Sequence, residues 1–286
     1  MTRYITRPFN EVLDPERLEM LETLLNVPII KQAREHGGII AGGFPRALLL
    51  GKQFKEYFNP TQTDPKVTPR PGDIDIFFTS TLAAEKVIDL YSTKMQNSLG
   101  GFAKYTTIYG KTLSSSIVVQ LVNHPTLCRS SLEEILDSFD FNNCKVAIVG
   151  DNIIYPEGWH ELESSKRISI SSITSPFMGS RLVRYLTSRG MVGVTADSRE
   201  KLTEWLCAAA ISKFDGYMPQ HLDGLKTAIM QLEFNDQLNA DELVLFIGKW
   251  KILTYEKSEN YGPSNSVEVD WALKKVQDND ARQRYK

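Results

Sequence analysis

The 286-residue sequence predicts an α+β fold: a mixed sheet with flanking helices over residues 1–156, followed by a helical domain over 157–286. Three observations predict it. Short apolar and alternating runs interleave with helically spaced segments in the first part, a pattern that needs non-local strand pairing. Strand signals fade near residue 157, where helical periodicity takes over. Between them, Gly37–Phe78 reads as a strand, a glycine turn, a helix and a second strand carrying two aspartates.

Residues 1–36 read as mostly helical. LDPERLEMLETLL has an acidic first turn and helical apolar spacing, and NVPIIKQAREHGG is a second helix ended by Gly37-Gly38. Ile39-Ile40-Ala41 is a strand, Gly42-Gly43 its turn, and Pro45 opens a helix that places Leu48, Leu49 and Leu50 inward. Residues 52–72 form a long polar connection without periodicity. Residues 73–79 are a strand, 81–98 an amphipathic helix, KYTTIYGKTLSSS a β-branched stretch turning at Gly110, and SIVVQLVNH a strand. SSLEEILDSF is a helix capped by Ser130 or Ser131. CKVAIVGDNIIYP is a pair of strands turning at Gly150-Asp151-Asn152. Beyond 157 the helices are SSITSPFMGSRLVRYLTSRG, SREKLTEWLCAAAISKFDGY and three further segments, with Trp205, Trp250 and Trp271 as core anchors.

Composition narrows the function classes. The net charge of −2 gives no global nucleic-acid footprint. Three widely spaced cysteines make neither a disulfide framework nor a zinc pattern, and His36, His124, His160 and His221 form no ligand set. No secretory leader or membrane span is legible, so a cytoplasmic location is expected.

The chemistry concentrates at Gly42-Gly43 and Asp73-x-Asp75. A glycine pair between strand and helix lets the backbone approach a phosphate. Asp73 and Asp75 stand two apart in a strand, so they share a face. Like charges that close repel, and such a pair suits Mg²⁺ brought with a substrate phosphate. Either feature alone reads as a plain turn or a solvated strand end; the order of the two carries the signal.

That order, with Arg46 and the LLLG helix between, resembles the nucleotidyltransferase fold of the polymerase β superfamily. GGFPRALLLGK is similar to the GGxVRDxLLG signature of the tRNA nucleotidyltransferase (CCA-adding) and poly(A) polymerase group, and DIDIFF to its metal-binding strand. FDFNNCKVAI is similar to its RRDFTINALA segment and RLVRYLTSRGM to its RAxRFAxxLGF helix. The motifs also resemble divergent nucleotidyltransferase-like proteins of phages and large viruses. The resemblance implies Mg²⁺ in a two-ion site on Asp73 and Asp75, with an NTP as substrate. It implies a catalytic part for Asp140, backbone amides of Gly42 and Gly43 on the triphosphate, and Arg46 supporting phosphate or the aspartate strand. It implies nucleotide contacts for Arg181 and Arg184. RNA, first a tRNA 3′ end, is the acceptor implied; a protein side chain or a small molecule stays open, and a membrane partner is not expected.

This chain departs from the group at Ala47, Ser138, Phe139 and Cys144, which replace an Asp, two Arg and an Asn. The strand expected beside the aspartates offers Gln120, not a third carboxylate, so either Asp137 or Asp140 supplies one, or two suffice, or the site is inactive. Lys52, Lys55, Lys66 and Arg70 flank the long connection and read either as a solvated loop or as a funnel for triphosphate or acceptor. Arg181 and Arg184, three apart on a helix, read equally as a salt-bridged face. Cys144 reads as a small buried residue. Three functions follow: an Mg²⁺-dependent nucleotidyltransferase, an inactive relative that binds nucleotide, RNA or a protein partner, or a structural or assembly protein that keeps the fold for its shape alone.

Overall fold

The computed structural model describes residues 2–58, 72–92, 96–98, 102–108, 116–123, 127–171, 181–182, 185 and 190–202. The chain divides into two compact units. One comprises residues 1–139 and 143–159, the other 140–142 and 160–286.

The first unit is built on an eight-stranded sheet, and its mixed α+β character is the one expected. Strand β1 (Tyr4–Pro8) lies at one edge and β4 (Gln96–Ser98) at the other. Between them stand β8 (Asn152–Pro156), β7 (Ala147–Val149), β2 (Ile39–Ala41), β3 (Asp73–Phe77), β6 (Ser116–Val122) and β5 (Phe102–Ile108), in that order. Only β3 and β6 run parallel; every other neighbouring pair is antiparallel.

The helices begin where local chemistry favours them. Helix α1 is a single turn (Phe9–Val12). Helix α2 (Pro15–Leu25) has proline in its first turn, and Asp14 caps it by accepting from the Arg17 amide at 2.8 Å. Helix α3 (Pro28–Glu35) buries Ile29, Ile30 and Ala33, and Gly37 ends it at φ 79°. Helix α4 is Gly43–Leu49 and α5 is Phe54–Phe58. Ser80 caps α6 (Thr81–Leu90) through the Ala83 amide. Ser131, not Ser130, caps α7 (Leu132–Asp137), while Glu134 reaches back to the Ser130 amide and hydroxyl.

Two apolar layers cover the sheet. Ile40, Ile74, Ile76, Ile117, Val119, Leu121, Ile148 and Ile153 point to the larger core, filled from α2, α3, α4 and α6. On the opposite face Ile39, Ala41, Phe77, Val122 and Ala147 pack with Ile135 and Leu136 of α7. Among the described residues that second layer is the smaller of the two.

Several expectations need correction. Residues 4–8 are a strand: Tyr4-Ile5-Thr6 is β-branched and aromatic, and it pairs antiparallel with Tyr155 and its neighbours. The helix read over 81–98 stops at Leu90, and Gln96–Ser98 pairs with Phe102–Lys104 instead. Of the three leucines in α4 and its cap, Leu48 is buried, Leu49 half-buried and Leu50 exposed. Three consecutive helical residues span too wide an arc to share one face. The hairpin at Gly150-Asp151 is as expected, with Gly150 at φ 56°.

In the second unit, α8 begins at Trp159, which itself belongs to the first unit, and runs to Ser164. Strands β9 (Arg167–Ile168) and β10 (Gly193–Val194) pair in parallel. Phe141 bridges to Ile170, and Asn142 donates to the Ser169 carbonyl and hydroxyl at 2.8 Å each. The helices read beyond Leu202, the three tryptophans on them, and the Gly110 turn lie outside the described residues.

Candidate active site

The site starts from a register. Because β2 and β3 run antiparallel, with Ile39 opposite Phe77 and Ile40 opposite Ile76, the end of β2 lies beside the start of β3. The chain therefore leaves Ala41 into Gly42-Gly43 at the same sheet end where Asp73 and Asp75 stand. Strand pleating puts both aspartates on the face of the smaller layer, Asp73 exposed and Asp75 half-buried, while Ile74 and Ile76 fill the core.

The two glycines differ. Gly42 has φ 93° and ψ −125°, a conformation that L side chains avoid, and its amide donates to the Val146 carbonyl at 2.9 Å. That amide is committed to the protein, so it is not available for the phosphate contact expected of Gly42. Arg46 is buried on α4, and Lys52 is half-buried just beyond it. Ala47, in the place of the group's aspartate, lies in the core.

Sequence reasoning missed Tyr57. Its hydroxyl donates to the Asp73 carbonyl at 2.9 Å and sits 3.0 Å from where a Cβ on Gly43 would be. Its backbone carbonyl accepts from the Gly72 amide at 2.8 Å. No local periodicity marks this residue.

The neighbouring strand answers the question of a third carboxylate. Asp73 pairs with Val118 and Asp75 with Gln120, and the register continues from Gln120 to Lys104. Both substitutes weighed from sequence have cationic partners. Asp137 accepts from Lys145 Nζ at 2.7 Å and from the Tyr4 hydroxyl at 3.1 Å. Asp140, buried in the second unit, accepts from Arg181 Nη1. Arg181 and Asp140 are thus brought together as an ion pair. Among the described residues no three His, Cys, Asp or Glu side chains are grouped to hold a metal ion. Asp73 and Asp75 still fit Mg²⁺, which commonly takes one or two carboxylates and completes its shell with phosphate and water. Arg184, Lys66 and Arg70 and the side chain of Lys55 lie outside the described residues. Cys128 and Cys144 are each half-buried, so Cys144 is less enclosed than expected.

Electrostatics hold the α7 end in place. Burial pushes the Asp137 carboxyl up, but the Lys145 hydrogen bond and charge and the Tyr4 hydroxyl outweigh it and hold the group below its usual 3.8. Burial, then the Asp137 charge, raises the Tyr4 phenol. A carboxyl depressed in the folded state stabilises above its unfolded pKa, and that contribution fades as pH falls through the lower folded value. Asp137→Asn should therefore cost about 1 kcal/mol near neutrality, a small figure because the carboxyl is half-exposed. Urea unfolding at about pH 6 and about pH 3 should show the gap from wild type closing at the acid end. A gap that widened with acid would contradict the assignment.

A family model described as "Gad2: Gabija anti-defense 2 family protein" matches residues 11–164, more than half the chain. The chain belongs to that family. None of the curated proteins compared matches it. Among solved structures it is similar to a CCA-adding enzyme complexed with ATP, at 17% identity and TM-score 0.49, covering 91% of this chain and 59% of that one. A Thermotoga maritima CCA-adding enzyme complexed with tRNA gives 18% and 0.48, covering 91% and 58%. A tRNA nucleotidyltransferase complexed with a primer tRNA and an incoming ATP analog gives 17% and 0.43, covering 90% and 70%. The chain thus spans under two thirds of the length of the first two. Among the described residues no helix is long and apolar enough to cross a membrane.

Proposed function

We propose that this chain is an Mg²⁺-dependent nucleotidyltransferase that moves a nucleoside monophosphate from an NTP to an acceptor hydroxyl. Its family name describes action against a defence called Gabija, and the transfer is proposed to serve that action. One observation carries the reading: the antiparallel β2–β3 register puts a glycine turn and two same-face aspartates at one sheet end.

Asp73 and Asp75 would hold the ion, whose charge would offset that of the triphosphate and favour in-line displacement. Gly43 lets the backbone close on a phosphate. Arg46, being buried, suits support of the aspartate strand better than direct contact with substrate. The acceptor oxygen bonds to the α-phosphorus, the α–β bridging P–O bond breaks, pyrophosphate leaves and the hydroxyl proton passes to solvent. Two carboxylates suit one ion arriving with the nucleotide; for a second ion the chain offers no third carboxylate in a group with them among the described residues. In the second unit, Asp140 is proposed to act by orienting Arg181, whose guanidinium would contact the nucleotide. Lys52, just past the C-terminal end of α4, is proposed as a further nucleotide contact.

RNA is the first acceptor to test, the 3′ end of tRNA foremost, and a protein of the opposed defence the second. Each labelled NTP would be incubated with the protein, Mg²⁺, total RNA and a cell extract. Label should move to one macromolecular fraction, with none moving in Asp75→Asn. No transfer to RNA, protein or small product would end this reading.

One observation favours a second reading, an inactive relative that binds nucleotide without turnover. Gln120 stands opposite Asp75, and Asp137 and Asp140 are ion-paired. Calorimetry with a non-hydrolysable NTP separates the two: binding that ignores Mg²⁺ and survives Asp75→Asn supports the inactive form.

A further inference from the structure

Helix α5 is pinned to α4 by rings. Phe44 lies 5.6 Å from each of Phe54, Tyr57 and Phe58, and Tyr57 and Phe58 are 5.0 Å apart. All four are buried. Such packing fixes the Tyr57 ring, and its hydroxyl then has a defined place.

That place lies against two other backbone segments. The hydroxyl donates to the Asp73 carbonyl at 2.9 Å, and it touches the spot that a Cβ on Gly43 would fill. A Cβ on Gly72 would fall 2.2–2.6 Å from atoms of the Tyr57 ring, so only glycine fits there. The Gly72 amide donates to the Tyr57 carbonyl. The chain thus leaves α5 at Phe58 and is back against Tyr57 at Gly72, one residue before the first site aspartate.

We propose that Tyr57 is a positioning residue: its phenol holds the glycine turn and the first site carboxylate as one unit, and so sets how tightly the site takes a nucleoside triphosphate. The proposal rests on the nucleotide-binding reading above for its second half only. The first half is a property of the protein without ligand. A carboxylate pair and a phosphate turn on separate elements must be held to within a fraction of an ångström to share one ligand. A hydrogen bond from a ring locked by packing does this without long side chains that would have to be ordered on binding.

The test is Tyr57→Phe, which removes one hydroxyl and keeps the ring cluster. Tm should shift by no more than about 4 °C. Amide exchange in segments 43–47 and 72–77 should quicken by about 2- to 12-fold, the factor carried by one ordinary hydrogen bond, with segment 152–156 unchanged. Affinity for a non-hydrolysable NTP with Mg²⁺ should fall by a similar factor. Unchanged exchange in both segments overturns the proposal. Faster exchange with unchanged affinity overturns it too, because positioning would then not matter to binding. If wild type itself binds no nucleotide, the reading above fails, the second half falls with it, and exchange alone decides whether Tyr57 joins the two segments.

Discussion

Asp75→Asn is expected to abolish Mg²⁺-dependent nucleotide chemistry while leaving the fold intact. Removing one fixed electrostatic contact to a transition state commonly costs on the order of 10²–10³-fold in rate, and a metal ligand should lie at the upper end. Stability on substitution of the neighbouring Asp73 should move the other way or not at all. Asp73 and Asp75 share a strand face, where like charges repel. Asp73→Asn, at an exposed position, removes that repulsion at no packing cost. Urea unfolding in chelator should therefore place Asp73→Asn at or slightly above wild type, by up to about 0.5 kcal/mol, while transfer collapses. Adding Mg²⁺ and nucleotide should stabilise only wild type, since a ligand stabilises the state that binds it. A variant that kept transfer activity would show that these carboxylates are not the ligands.

What could be read beforehand follows from how local each determinant is. Asp14, Pro15, Ser80 and Ser131 mark helix starts through bonds within three residues, and those starts are in place. The Asp-x-Asp strand and the Gly150 hairpin are also short-range patterns. The β1 strand was missed because its partner lies about 150 residues away, and five residues, though β-branched and aromatic in part, do not name that partner. Tyr57 was illegible for the same physical reason. Its role depends on a hydroxyl meeting a carbonyl 16 residues on, across a stretch without periodicity. Asp137 and Asp140 could be singled out as acidic residues near the right motif, yet their partners Lys145 and Arg181 are set by tertiary packing. Gln120 is the instructive case. Its strand was recognisable from apolar residues, and the parallel register then placed it opposite Asp75. That turned a composition remark into a statement about which residue stands beside Asp75.

The glycine pair shows how much a motif can conceal, and it sets the second large effect. By sequence Gly42 and Gly43 are interchangeable. By conformation Gly42 alone has positive φ, and an added Cβ would sit 3.0 Å from Phe139 Cε1, a ring already 5.4 Å from Phe77. Gly42→Ala therefore combines backbone strain of about 1–3 kcal/mol with a tight contact at the edge of the second apolar layer. A total loss of about 2–4 kcal/mol is expected, a drop in Tm of several degrees for a chain this size. Gly43 carries no positive φ, and its added Cβ would meet only the Tyr57 hydroxyl, at 3.0 Å. Gly43→Ala should cost under about 1 kcal/mol, because alanine is at least as well accommodated in a helix as glycine. It should instead displace the phenol that holds Asp73, weakening nucleotide binding roughly as Tyr57→Phe does. Thermal unfolding and nucleotide titration of the two alanine variants, side by side, separate the roles. Gly42 is held by the fold and Gly43 by the site; a Gly43→Ala protein that unfolds early and binds normally would reverse that assignment.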